Sequence, residues 1–138
     1  MKVIDSSALI KYVGKEENWE KVEEHLKEGC ITLDLATKET ANALVKKALK
    51  NEVTPETAKE IINYLPKIVR ITPQKEHFSK AFEIAIKHKL TIYDALFIAL
   101  SVNTNMPLLT SDEKQAKASK EHGVAVTLMQ NQAFVHTL

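Results

Sequence analysis

Short apolar runs alternate along the chain with longer segments of helical periodicity. The apolar runs predict five strands, at residues 2–5, 30–34, 68–72, 107–110 and 124–128. Between them, apolar residues three or four positions apart predict helices. These helices begin near Ala8 and span residues 18–29, 35–51, 55–65, 75–88 and 90–101, and a polar helix ending at Gly123 precedes the last strand.

Two of these helices carry an apolar stripe that we expect to face the core. One stripe consists of Ala41, Leu44, Val45, Ala48 and Leu49, and the other of Phe78, Phe82 and Ala85. Helix caps are also predicted, by Ser6 and Ser7 ahead of Ala8 and by Asp34 ahead of residue 35. Residues 90–101 are apolar on all sides except at Asp94, which indicates a buried helix that carries one carboxylate.

Strands that are separated by helices predict an α/β fold with one parallel sheet. Crossover helices then cover both faces of the sheet, which gives a three-layer α/β/α sandwich. The chain has 138 residues, of which 44% are hydrophobic, and only three glycines and four prolines. No linker, repeat or low-complexity tract interrupts it, so we expect a single domain over residues 1–138.

Charge and cysteine content indicate the cellular compartment and limit the kinds of binding partner that we expect. Nineteen basic and 18 acidic side chains nearly balance, so bulk charge does not attract the protein to nucleic acid or membranes. The sequence contains no apolar segment of the length of a signal peptide core or a membrane span. Its single cysteine, Cys30, fits a reducing compartment. We therefore expect a cytoplasmic protein with no membrane association.

Acidic residues fall near the ends of the predicted strands. Asp5 closes the first strand, Asp112 follows the fourth by two residues, and Glu39 lies early in the helix after the second. Asp94 occupies the first turn of its own helix. Ligands of open parallel sheets bind at the carboxyl ends of the strands. We therefore expect these four carboxylates to meet at that edge of the sheet.

Each of these acids also has a purely structural interpretation. Asp94 follows Thr91 at the spacing of a capping box, Asp5 and Asp112 suit helix starts, and Glu39 suits a solvated surface. Carboxylates gathered at one edge, however, repel one another unless a cation neutralises them. Oxygen ligands favour Mg²⁺ or Mn²⁺ over zinc, and these ions suit phosphoryl chemistry. The five histidines have no ligand spacing and are expected to be surface or packing residues.

Four segments resemble, in the expected order, the four motifs of the PIN-domain family, in particular its small VapC-type toxins. The segments are VIDSSALI, KETANALVKKAL, YDALFIAL and LLTSDEKQA, and the likeness extends over nearly the whole chain. The motifs are specific as a set rather than singly. The resemblance implies a parallel sheet of order 3-2-1-4-5 and a metal-dependent endoribonuclease. It also implies a homodimer, with a small antitoxin encoded next door whose tail blocks the site.

The same resemblance implies a role for each matching acid. The catalytic and metal-binding quartet would be Asp5, Glu39, Asp94 and Asp112. Asp5 and Asp94 would be the direct ligands of Mg²⁺ or Mn²⁺. The other two acids would hold water or a second ion.

Polar residues next to these acids are also implied in the site. Ser7 and Thr110 would orient carboxylates or water without binding the metal themselves. Asn42 would hydrogen-bond within the site or to the substrate. Many members of this family have a further acid shortly after the last motif. This chain departs from that pattern, because Glu113 points to another side of its helix and position 114 is lysine. A second metal ion is therefore in question.

Single-stranded RNA is the expected substrate. Lys46 and Lys50 lie on nearly the same helical face as Glu39, where they would contact the phosphates of the RNA backbone. Lysines on such a helix equally suit a solvated surface. The same site suits precursor-RNA processing or DNA flap cleavage. The non-enzymatic alternative is an inactive PIN-like module that binds nucleic acid. A haloacid-dehalogenase-like phosphatase fits poorly, because Ser7 stands where that family needs a second acid.

Overall fold

Five short parallel strands form the sheet of the computed structural model, which describes residues 1–130. The strands are β1 (Lys2–Ile4), β2 (Cys30–Leu33), β3 (Arg70–Thr72), β4 (Leu108–Thr110) and β5 (Val126–Leu128). Their order is β3-β2-β1-β4-β5, with every neighbouring pair parallel. The predicted α/β class and the implied order 3-2-1-4-5 are confirmed. The last eight residues of the predicted domain lie outside the described residues.

Seven helices cover the sheet within the described part of the chain. They are α1 (Ser6–Val13), α2 (Trp19–Glu28), α3 (Asp34–Leu49), α4 (Pro55–Ile68), α5 (Phe78–His88), α6 (Ile92–Thr104) and α7 (Glu113–Glu121), and a 3₁₀ turn (Lys75–His77) precedes α5. Helices α1 to α4 pack on one another, as do α5 to α7. The chain crosses the sheet first in one direction and then in the other, which places the two groups on opposite faces.

The direction of the crossovers reverses at β1, which pairs with both β2 and β4. Such a reversal opens a crevice at the carboxyl ends of the two central strands. Val3 pairs with Leu108 and Ile4 with Leu109, and the Asp5 backbone N–H donates to the Leu109 carbonyl at 3.1 Å. This register brings Asp5 beside the end of β4.

Helix α6 is buried on every side in its middle turns. All residues from 95 to 101 are buried, and Phe97 and Ile98 are fully enclosed in the core. The predicted buried helix is confirmed. Asp94, in its first turn, lies at the boundary between this packed element and solvent.

The two predicted apolar stripes are only partly buried. Leu44 of α3 is buried, but Val45 and Leu49 are 51% and 79% exposed. In α5 the exposed fractions of Phe78 and Phe82 are 44% and 63%. The core-facing residues are instead Leu35, Ala36, Thr40 and Leu44 in α3, and Ala81 and Ile84 in α5. The stripes were partly wrong because packing against the sheet set the rotation of each helix, which turns positions 36, 40 and 44 of α3 and 81 and 84 of α5 towards the core.

Two of the predicted caps are also wrong. Asp5, rather than a serine, is the N-cap of α1, and its Oδ1 accepts the Ala8 backbone N–H at 3.0 Å. Asp34 is the first residue of α3, where it makes no capping hydrogen bond, and Leu33 holds the N-cap position. Within residues 1–130, none of the helices combines the length and apolar character of a membrane-crossing segment.

Candidate active site

Asp5 lies buried at the end of β1, where only 1% of the residue is exposed. Its Oδ1 accepts hydrogen bonds from the Ser7 hydroxyl at 2.7 Å and from the Ala8 backbone N–H at 3.0 Å. Its Oδ2 accepts one from the Thr110 hydroxyl at 2.5 Å. The carboxylate is therefore fixed between the carboxyl ends of the two central strands.

Burial raises the pKa of Asp5 to about 6, although the hydrogen bonds from Thr110, Ala8 and Ser7 act in the opposite direction. The negative charge of Asp112 raises this pKa further. A buried carboxylate of this kind is stabilised in its charged form by a positive partner. The position of Asp5 therefore suits a cation site as well as a helix cap.

Two hydroxyls join the segments that follow β1 and β4. The Ser7 and Thr110 oxygens lie 3.2 Å apart. Ser7 Oγ accepts the Ser111 backbone N–H at 2.9 Å, and Thr110 Oγ1 accepts the Asp112 backbone N–H at 3.0 Å. Each hydroxyl thus donates to Asp5 and accepts from the loop that carries Asp112. Both residues therefore contact Asp5 between the ends of β1 and β4.

Glu39 reaches this region from α3. Its Oε1 accepts a hydrogen bond from the Ser6 hydroxyl at 2.5 Å, which fixes a side chain that is only partly buried. Sequence reasoning assigned Ser6 to a cap and missed this contact. The pair of serines after Asp5 was the available sign, since adjacent hydroxyls on a helix point in different directions and cannot both reach the same carboxylate.

Asp94 lies in the first turn of α6, where its backbone N–H donates to the Thr91 hydroxyl at 3.2 Å. The pKa of Asp94 is raised by burial and then by the negative charges of Asp112 and Glu39, while the positive charge of Lys114 lowers it. These acids are therefore near enough to one another to interact electrostatically. The capping and the clustered-acid interpretations of Asp94 are compatible.

Asp112 begins α7 as its N-cap, with Oδ1 accepting the Gln115 backbone N–H at 3.0 Å. The Gln115 side chain is 2% exposed, and its Nε2 donates to the Asp94 backbone carbonyl at 3.0 Å. This glutamine fixes the start of α7 against the start of α6. Sequence reasoning missed Gln115, because a single glutamine in a polar helix resembles a surface residue.

The four acids do not form a preassembled ligand shell. Among residues 1–130, no group of three or more His, Cys, Asp or Glu side chains lies close enough together to hold a metal ion. The side chains nevertheless fit a hard divalent cation, because they offer only oxygen ligands. The negative charge of Asp112 raises the pKa of Asp5 and of Asp94, which a cation would offset.

The other residues implied on α3 lie outside this cluster. Asn42 is exposed, and its side chain makes no hydrogen bond with any residue that the structure describes. Lys46 and Lys50 are exposed farther along the same helix. Their implied contacts with substrate stay predictions.

An apolar cleft of about 470 Å³ lies elsewhere, between α1, α2 and α4. Tyr12, Trp19, Ile61 and Tyr64 are among its lining residues, and none of the four acids lines it. Its apolar character does not suit phosphate chemistry, so the acidic edge is the better candidate for catalysis.

Comparison with known sequences gives a match to the PIN domain model over residues 2–121. Ribonuclease VapC3 of Pyrobaculum aerophilum is 32% identical over 120 residues, which cover 83% of this chain and 92% of the relative. The residues matched by the PIN domain model include all four acids of the candidate site.

Solved structures share the fold at low sequence identity. The crystal structure of PAE2754 from Pyrobaculum aerophilum superposes with a TM-score of 0.67 at 19% identity, covering 99% of this chain and 94% of that one. A toxin–antitoxin complex from Klebsiella pneumoniae contains a chain with a TM-score of 0.62 at 14% identity, covering 84% and 90%. At these identities the similarity establishes the fold alone.

Proposed function

Because the chain belongs to the PIN domain family, we propose that it is a metal-dependent endoribonuclease that hydrolyses single-stranded RNA. We further propose that it is the toxin of a toxin–antitoxin pair. The name of its relative, a ribonuclease, supports the activity, and the Klebsiella pneumoniae complex of similar fold supports the pairing.

One observation carries the proposal of a nuclease site. Asp5 is buried between the ends of β1 and β4, accepts bonds from Ser7 and Thr110, and has a pKa raised to about 6. A cation bound beside this carboxylate would offset the cost of burying its charge next to Asp112 and would lower its pKa. Phosphodiester hydrolysis is a reaction that uses such a cation.

Each acid has a distinct part in this proposal. Asp5 and Asp94 would hold Mg²⁺ or Mn²⁺, while Glu39, oriented by Ser6, and Asp112 would orient the attacking water or a second ion. When bound, the cation supplies charge neutralisation at the phosphate and lowers the pKa of water. The chain supplies rigid positions for the carboxylates, through the hydrogen bonds of the strand ends and the buried helix α6.

Two protein partners belong to the proposal. A small antitoxin would block the site, and a second copy of the chain would form a homodimer. A surface of large apolar side chains on α5, formed by Phe78, Phe82 and Ile86, supports the homodimer, because exposed patches of this kind mark interfaces. The cytoplasmic location and the extension of the domain to residue 138 stay predictions.

The test of the activity is cleavage of a fluorogenic single-stranded RNA by purified protein with Mg²⁺ or Mn²⁺. We expect cleavage that EDTA abolishes, and a loss of about 10²-fold or more in Asp94→Asn, because the variant lacks one ligand charge. Glu20→Gln, which neutralises an exposed acid on α2, is the matched control and should cleave like the wild type.

Equal cleavage by the wild type and a correctly folded Asp94→Asn variant would contradict the proposed site. RNA binding without cleavage would support the inactive binding module instead. Preference for a precursor RNA or a DNA flap over unstructured RNA would point to a processing or flap nuclease with the same acids.

A further inference from the structure

A groove of about 250 Å³ separates α7 from the turn that joins α5 to α6. Its lining residues are His88, Leu90, Lys114, Lys117, Ala118 and Glu121. The two lysines lie on the α7 side of the groove, and His88 and Leu90 line the opposite side. The four acids of the candidate site are not among its lining residues, so the groove is a separate surface.

One end of the groove adjoins the candidate active site. Leu90 lies four residues before Asp94, and Lys114 lies two residues after Asp112. The hydrogen bond from Gln115 Nε2 to the Asp94 carbonyl, at 3.0 Å, holds the two walls together at this end. The charge of Lys114 also acts on Asp94, whose pKa it lowers. The groove therefore begins beside the carboxylates of the candidate active site and extends away from them.

The spacing of its residues aligns the groove with the axis of α7. Positions 114, 117, 118 and 121 share one helical face, and both lysines are exposed. Seven residues of helix extend about 10 Å, which at about 3.4 Å or more per nucleotide accommodates at most about three nucleotides. Glu113 is not part of this face, since its carboxylate accepts a hydrogen bond from Gln130.

The far end of the groove is closed by a histidine pair that the sequence did not predict. His88 Nε2 and His122 Nε2 lie 2.9 Å apart, and His88 Nδ1 lies 3.1 Å from Glu121 Oε2. Glu121, the one acid among the lining residues, is thereby engaged with His88. Lys80 and Lys87 also act electrostatically on His122. Among the lining residues, Lys114 and Lys117 thus carry positive charge, and the acid Glu121 is engaged with His88.

We infer that this groove binds the sugar–phosphate backbone of the RNA strand at the active site, with Lys114 and Lys117 as its phosphate contacts. The inference rests on the proposed function and adds the path of the substrate. Lysine contacts to phosphate position a strand without reading its bases.

The test measures binding of a fluorescein-labelled single-stranded RNA to Asp94→Asn protein by anisotropy at several KCl concentrations. Each phosphate contact contributes about 0.7 to the slope of log K against log salt concentration. Adding Lys114→Ala and Lys117→Ala should reduce the slope by about 1.4 and weaken binding about tenfold near 0.15 M salt. Adding Lys21→Ala and Lys120→Ala removes the same charge from exposed sites outside the groove and should leave the slope unchanged.

An unchanged slope of log K against log salt concentration for the Lys114→Ala, Lys117→Ala protein would overturn the inference. If the wild type still cleaved RNA in that case, the proposed function would stand without this binding groove. A reduced slope only for Lys46→Ala, Lys50→Ala would overturn it in favour of a path along α3. Failure of the wild type both to bind and to cleave single-stranded RNA would overturn the inference together with the proposed function.

Discussion

At the scale of single residues, Asp5 combines two functions in one carboxylate. It caps α1 through the Ala8 N–H and lies at the centre of the acidic edge. Its pKa is raised from 3.8 to about 6, chiefly by burial. In the metal-free protein, its contribution to stability is therefore fully present below pH 4 and is lost as the pH rises through about 6. The loss is on the order of 3 kcal/mol.

The first prediction concerns Asp5→Asn. In EDTA at pH 7.5 we expect a higher Tm than that of the wild type, with the difference disappearing towards pH 4, because the amide carries no charge to bury. An asparagine retains an acceptor for the Ala8 N–H and gains a donor for the Thr110 hydroxyl. Thermal unfolding followed by circular dichroism at several pH values measures the difference.

Metal addition provides the control for this prediction. Mg²⁺ or Mn²⁺ should raise the Tm of the wild type, since a ligand that binds the folded state stabilises it, and should have little effect on Asp5→Asn. If the metal-free wild type were more stable than Asp5→Asn throughout the neutral pH range, the prediction would be contradicted. Other interactions would then compensate for the free-energy cost of burying the Asp5 charge.

At the scale of elements, helices α6 and α7 hold two of the acids at their amino-terminal turns. The buried side chains of α6 fix Asp94, whereas α7 is short and polar and depends on local contacts. Gln115 provides such a contact, from a buried position in α7 to the Asp94 carbonyl. This side-chain hydrogen bond therefore contributes to the relative position of the two acids.

Gln115→Met preserves the length of this side chain and removes its donor. We expect a loss of about 1 kcal/mol of stability and about a tenfold reduction in kcat, with KM nearly unchanged, because the displaced residues act on the reaction more than on RNA binding. Chemical denaturation and steady-state cleavage kinetics measure the two effects.

Gln130→Met is the matched control, because it removes a glutamine that bonds to Glu113 at the surface. Its kinetics should equal those of the wild type. If Gln115→Met lost stability but kept its kcat, Gln115 would be a purely structural contact.

At the scale of the whole molecule, large apolar side chains remain uncovered on one side of the sheet. Phe78, Phe82 and Ile86 recur every fourth residue along α5, and Tyr93 is exposed at the start of α6. Surfaces of this kind on soluble proteins mark sites of association. They support the proposal that the chain functions as a homodimer.

Phe82→Glu tests this proposal, since it places a charge in the centre of the α5 surface without altering the core. We expect sedimentation velocity to give a dimer for the wild type and a monomer for the variant, because an unpaired charge is costly to bury in an interface. Tyr64→Glu, an equally exposed aromatic residue on α4, should remain dimeric. A monomeric wild type at micromolar concentration would contradict the proposal.

Local sequence pattern determined the types of the elements, their order and the positions of the acids. The strand runs, the buried helix of residues 90–101 and the acids near strand ends follow from neighbouring residues, because backbone conformation depends on local periodicity and capping. The strand order came from the resemblance of four motifs rather than from periodicity.

Only the tertiary structure decided which side chains meet. Ser6 reaches Glu39 across 33 positions, Thr110 reaches Asp5 across 105, and His88 meets His122 across 34. The buried faces of α3 and α5 were likewise decided by packing against the sheet. Such contacts depend on the strand order and on the rotation of each helix about its axis. Both result from many weak interactions over the whole chain, so no local pattern specifies them.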